Sequence, residues 1–224
     1  MPLSMEALER LEEQLLLSKG GGIYYDAARV EADPTVASLF IGLGGTGADM
    51  LIRIKNEVTR RMVLPQNDGK IMSDTPNNVG FLAIDTDEST QKKTWGVASF
   101  DRFGSEYCSI AVTNLPVVVA SRIQEAEQGN PVWDWYDGIE PVLANAGAGG
   151  YRQIGRLMLF DNVKIVYDSI RNKMNSLMRS GATHANVFIV AGIAGGTGSG
   201  TFIDIAYLVR ECLRIEGIGS ASLL

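Results

Sequence analysis

Three glycine-dense segments carry the residue types and spacings that could do chemistry. Gly42-Leu43-Gly44-Gly45-Thr46-Gly47 fits the pattern G-x-G-x-x-G and closes the apolar run from Leu39 to Leu43. Met50, Leu51 and Ile54 then recur at helical spacing, so the segment reads as strand, glycine loop, helix. With no Cβ, the loop lets backbone N–H groups approach a phosphate closely. The helix N-terminus adds about 0.3–1 kcal/mol of favourable interaction with an anion. A tight turn, or close packing of helix on strand, also selects glycine, so this motif alone leaves both readings open.

The second segment, Ala194-Gly195-Gly196-Thr197-Gly198-Ser199-Gly200, is denser. It follows the apolar run Val187 to Ile193 and precedes an amphipathic helix from Phe202 to Ile215. Thr197 and Ser199 add hydroxyl donors for phosphate oxygens. No Lys follows, so the segment is not the P-loop G-x-x-x-x-G-K-[ST]. A tight turn needs one or two glycines and leaves the rest unexplained. The third segment, Gly147-Ala148-Gly149-Gly150, also precedes a helix pattern. Glycine loops that follow parallel strands share one carboxyl edge, where α/β folds bind ligands. Together they could enclose a di- or triphosphate by backbone donors.

These loops need elements to position them. Val79 to Ile84 reads as a second strand, ending in Asp85-Thr86-Asp87. Val117 to Ala120 is a third strand or a helix start after Pro116. Val163, Ile170, Met174 and Leu177 give helical spacing to the stretch Leu157 to Met178, which Ser180 and Gly181 cut off. Fully apolar strands suit a sheet covered on both faces. The expected fold is therefore α/β: a Rossmann-like three-layer parallel sheet with helices on both sides. Trp95 to Pro141 reads as a long loop with short elements, in which Trp133, Trp135 and Tyr136 form a satellite core. Met5 to Lys19, with Leu8, Leu11 and Leu15 on one face, reads as a helix ended by Gly20, Gly21 and Gly22. It packs on its own domain or docks on a partner chain. The expected organisation is an arm and hinge at 1–22 and a domain at 36–216, with an insertion at about 95–141.

Composition narrows the function classes. The 224 residues carry 20 Lys+Arg and 26 Asp+Glu, a formal net charge of −6. That balance argues against a nucleic-acid or anionic-membrane partner held by bulk charge. Two cysteines, Cys108 and Cys212, and one histidine, His184, argue against a multi-disulfide framework, a Cys-rich zinc site and a Ser-His-Asp triad. No metal-ligating or catalytic side chain is assigned. The N-terminus lacks the features of a signal peptide, and no apolar stretch approaches the roughly 20 residues that span a bilayer. The chain reads as cytoplasmic, with reduced thiols. The 25 glycines exceed the usual ~7% of a chain.

Four motifs, in order from Leu39 to about Arg214, resemble the tubulin/FtsZ superfamily. Ala194 to Gly200 is similar to its signature G-G-G-T-G-[ST]-G, with Ala194 in place of the first glycine. Ile41 to Asp49 resembles the first phosphate loop, with Asp49 where Asn is usual. Asp85-Thr86-Asp87 resembles the Asn-Thr-Asp loop, again with Asp for Asn. Gly147 to Arg156 resembles Gly-Ala-Gly-x-x-x-x-x-Gly-Arg, with Tyr151 and Arg152 where Asn and Pro are common. The insertion and the N-terminal arm are closer to divergent bacterial tubulin-like proteins.

The resemblance implies GTP or GDP at the carboxyl edge, with Mg²⁺ on the phosphates. Gly44, Gly45, Thr46, Gly47 and Asp49 would line the α- and β-phosphates and nearby sugar. Ala148, Gly149 and Gly150 would face the γ-phosphate. Gly195, Gly196, Thr197, Gly198 and Ser199 would cradle the β-phosphate, and Asp85 and Asp87 would lie near the metal or its waters. The two added carboxylates would raise dependence on Mg²⁺ or weaken binding. The resemblance further implies head-to-tail assembly of a cytoskeletal GTPase. Its base contacts and hydrolytic acids lie beyond Leu224, so the fold is expected to be incomplete at its C-terminal side. Val187 to Ile193 would then be a sheet edge completed by self-association or a partner chain.

Two alternatives stay open. A Rossmann-type NAD(P) or FAD oxidoreductase would use Gly42, Gly44 and Gly47. It expects an acidic residue about 20 positions on, whereas Asp85 comes 38 positions after Gly47. A non-catalytic assembly module with a decayed site would use the Leu8, Leu11 and Leu15 arm. His184 reads as a surface or capping residue. Arg156, beside a phosphate-loop candidate, is either a ligand-facing cation or half of a surface salt bridge.

Overall fold

The computed structural model describes residues 33–62, 75–100, 105–138, 147–218 and 221–224. The expected N-terminal helix and glycine hinge lie outside the described residues.

Eight residues, Val36–Leu43, form β1, and the chain turns at once into helix α1, Gly44–Met62. Strand β2, Val79–Asp85, is buried along its whole length. A 3₁₀ turn, Glu88–Lys92, and a small hairpin of β3, Thr94–Trp95, and β4, Ala98–Ser99, lead to β5, Tyr107–Ser109. Helices α2, Leu115–Glu127, α3, Arg152–Asp161, and α4, Val163–Met178, precede β6, His184–Ala191. Helix α5, Gly196–Ile215, and the short β7, Ala221–Leu223, complete the described chain.

The main sheet has the order β5-β2-β1-β6-β7, and every pairing is parallel. Side chains of β1 alternate between two cores, as a pleated strand requires. Leu39, Ile41 and Leu43 face α4 and α5, where Ile170, Met174, Ile205 and Val209 close over them. Phe40 points the other way and stacks on Phe81 and Phe188 at 5.5 and 4.7 Å between ring centres. That side is covered by Leu51 and Ile52 of α1. Each fully buried Leu or Ile contributes about 2 kcal/mol. The three-layer expectation holds.

Four local expectations are sharpened or corrected. The ambiguous Val117 to Ala120 segment is helical, with Pro116 in the first turn of α2. The single helix expected up to Met178 is two helices. Asn162 breaks it by donating from Nδ2 to the Met158 carbonyl at 2.9 Å, satisfying the end of α3. Strand β6 starts at His184 rather than Val187, because it pairs with β1 from Val36↔His184 to Leu43↔Ala191. It is not the sheet edge that was expected, since β7 pairs beside it from Ala185↔Ala221 to Val187↔Leu223.

The aromatic cluster forms the expected satellite core. Trp133 and Tyr136 pack with Leu115, Val119, Ile154 and Leu157, and the Trp133 indole donates to Glu125 at 2.9 Å. Cys108 and Cys212 are buried free thiols. Among the described residues, no helix is long and apolar enough to cross a membrane.

Candidate functional site

Parallel pairing of Leu43 with Ile84 and with Ala191 brings the ends of β1, β2 and β6 side by side. The segments that leave these ends are therefore neighbours, although up to 111 residues separate their contacts. Thr86 joins them. Its buried hydroxyl lies 2.9 Å from the Thr197 hydroxyl and accepts the Ala148 N–H at 3.2 Å. Three loops are thus tied through one oxygen.

Packing accounts for much of the glycine. A Cβ on Gly47 would lie 2.5 Å from the Val190 carbonyl oxygen, and one on Gly155 would run into the Gly196 carbonyl. The backbones of α1 and β6, and those of α3 and α5, approach too closely for any side chain. Gly196 and Gly198 are similarly enclosed, and Gly44, Gly149 and Gly150 adopt positive φ. The dense loop at 194–200 is therefore largely a helix-packing device.

Gly45 and Gly195 are different. Neither has a positive φ, and a Cβ on either would meet nothing within 4 Å. Gly195 has extended backbone, φ −85° and ψ 157°, and caps α5 without any side-chain bond. A Ser or Asp there would serve the helix better. Among the described residues, nothing requires glycine at these two positions. Both stand where a helix begins. By helix geometry the N–H groups of Gly44, Gly45 and Thr46, and of Gly196, Thr197 and Gly198, have no intrahelical acceptor. The preceding residues, Leu43 and Gly195, bring no capping oxygen.

The side chains are largely committed to one another. Thr197 holds Thr86, and the Ser199 hydroxyl donates to the Gly195 carbonyl, so neither hydroxyl is idle. Asp85 is buried, with Oδ1 accepting the Thr86 N–H and Oδ2 the Thr90 hydroxyl, each at 2.7 Å. It shapes its loop rather than facing outward. Asp87 caps the 3₁₀ turn, and the Ser89 hydroxyl and N–H hold its carboxyl below the usual range, with the Lys93 ammonium adding a smaller pull. Asp49 is exposed and pairs with Lys93 at 2.6 Å. Burial pushes the Tyr107 phenol up to about 12, and its hydroxyl donates to the Asp87 carbonyl. Among the described residues, no three His, Cys, Asp or Glu side chains converge as a metal cage.

Arg156 is anchored, not idle. Its guanidinium grips Asp204 through two bonds of 2.8 and 3.0 Å and lies over Trp135, 4.5 Å from the ring centre. Together with Arg152, Gln153 and Ile203 these residues line a cavity of about 310 Å³ beside the second loop. Sequence spacing alone does not assign a site role to Lys93, Arg152 or the Thr86 hub. Thr86 and Arg152 fall within recognisable motifs, whereas Lys93 carries no spacing signal.

A family profile described as "Tubulin like" matches residues 39–223. The chain belongs to the tubulin-like family. All the strands and helices that build the tubulin-like loop cluster fall within that match except the first residues of β1. A solved structure titled as an empty FtsZ dimer from M. jannaschii is 17% identical, with a TM-score of 0.37. The match covers 99% of this tubulin-like chain and 40% of that one. No curated protein matches.

Proposed function

We propose that this tubulin-like chain binds a guanine nucleotide, GTP or GDP, at the carboxyl edge of its sheet. The observation that carries this reading is the pair of open glycines, Gly45 and Gly195. Each stands at a helix N-terminus that lacks a side-chain cap and has space above its backbone. Orphan N–H donors and the positive ends of α1 and α5 suit a polyphosphate. Family membership supplies the guanine preference. Gly149 and Gly150 belong to the third loop, which Thr86 ties to the second through Ala148 and Thr197.

Mg²⁺ suits the site as a companion of the phosphates, since it takes few protein ligands and keeps several waters. Asp87 would hold those waters, and the metal would offset phosphate charge. Asp85 does not fit that role: unlike exposed Asp87 it is buried, with both oxygens engaged within its own loop. The same engagement weighs against a dinucleotide, whose ribose needs an acidic acceptor at a strand end. We assign the chain the binding step and no catalytic residue. Cytoplasmic, nucleotide-dependent head-to-tail self-association follows from the family and belongs to the proposal.

Calorimetric titration with GTP, ATP and NAD⁺, each with Mg²⁺, tests the reading. GTP is expected to bind and NAD⁺ to give no heat. Binding of NAD⁺ alone, or of nothing, would overturn it.

A further inference from the structure

The first glycine loop has no lysine in its own sequence, yet an ammonium sits on it. Lys93 Nζ lies 2.6 Å from Asp49 Oδ1 and 3.4 Å from the Gly45 carbonyl oxygen. It comes from a different element, just past the 3₁₀ turn. Its place is fixed by a short relay: buried Asp85 accepts the Thr90 hydroxyl, and the Lys93 N–H donates to the Thr90 carbonyl at 3.1 Å. The end of β2 thus aims a lysine at the start of α1.

Stability gives little reason for that placement. An exposed ion pair contributes about 0–1 kcal/mol, and the Asp49 and Lys93 side chains are 56% and 30% exposed. A helix N-terminus also disfavours a cation. An anion over the open Gly45 would reverse the balance. An ammonium has three N–H donors, and its two contacts here use two of them.

We propose that Lys93 is the phosphate-binding cation of this site, offsetting Asp49 and donating to a phosphate oxygen above Gly45. The inference rests on the nucleotide reading and adds to it the residue that carries the positive charge. It also bears on Asp49, one of the added carboxylates expected to raise dependence on Mg²⁺ or weaken binding. Lys93 neutralises that carboxylate from across 44 positions of sequence.

The test is titration of GTP with Mg²⁺ at low ionic strength, where charge effects are least screened. The chains compared are wild type, Lys93→Ala, Lys93→Arg and the double variant Lys93→Ala/Asp49→Asn, each with a thermal melt. Lys93→Ala should lose about tenfold or more in affinity with an unchanged melt, while Lys93→Arg keeps most of it. The double variant should recover roughly threefold over Lys93→Ala, because no carboxylate is left unpaired beside the phosphates. Wild-type affinity in Lys93→Ala, or no recovery in the double variant, would overturn the proposal while the nucleotide reading stands. A wild type that binds no GTP would overturn both.

Discussion

The loops after β1 and after β6 look alike in sequence, and their surroundings make them different. In both, enclosed glycines let a helix begin against neighbouring backbone, at Gly47 beside Val190 and at Gly196 beside Gly155. In both, one glycine remains open, Gly45 in the first and Gly195 in the second. The first loop carries charge, with Asp49 and Lys93 across its helix start. The second commits its hydroxyls to the protein itself, Thr197 to buried Thr86 and Ser199 to the Gly195 carbonyl. The lesson is that a glycine-rich motif mixes two demands, and only the environment of each glycine separates them.

The largest expected effect breaks the packing half of that comparison. Gly155→Ala drives a methyl into the Gly196 carbonyl, which cannot yield without moving the first turn of α5. We expect a loss of about 3 kcal/mol in urea unfolding. A variant as stable as wild type would show that the two helices can part freely. Gly196→Ala belongs to the same class, so a binding loss in that variant would say nothing of phosphate.

Next comes the tie between the loops. Thr86→Val keeps the shape but removes the oxygen shared by Thr197 and Ala148. Leaving those groups unpaired in a buried position costs about 2 kcal/mol. Unfolding free energies check this, and a neutral result would mean that the loops hold their places independently.

Smaller again is the outer wall of the second loop. Arg156→Lys keeps the charge but loses the two-pronged grip on Asp204 and the stack on Trp135. The expected cost is about 1 kcal/mol in the same assay.

The gentlest test is alkaline. Burial pushes the Cys212 thiol from 9.0 up to about 11. The folded chain therefore keeps a proton that the unfolded chain releases first. This contribution is intact below about pH 9 and is lost as pH rises towards 11. The urea midpoint should fall across that window, and Cys212→Ala should flatten the fall.

Much of the fold was legible because its signals are local. The run Val79 to Ile84 and the periodic Met50, Leu51 and Ile54 announce a strand and a helix without outside help. The start of β6 was not legible, since its length is set by pairing with β1, far away in sequence. The break at Asn162 depends on a side chain reaching back to a carbonyl, which periodicity does not encode. In the site, the glycine motifs could be read, but not which glycines were enclosed. That distinction needs the neighbouring backbone. Lys93 escaped for the same reason, as its partners lie on another helix.

On the nucleotide reading, Gly45 is glycine for a ligand and not for the fold. Gly45→Ala separates the two demands in one variant. Alanine in an open helical position should stabilise the chain by up to about 1 kcal/mol. Its methyl would fill the space through which a phosphate reaches the backbone. GTP titration of wild type and Gly45→Ala, each with a thermal melt, should give an equal or higher melting temperature and at least about a tenfold weaker affinity. Unchanged GTP affinity in a well-folded Gly45→Ala would mean that no phosphate approaches the backbone at this glycine.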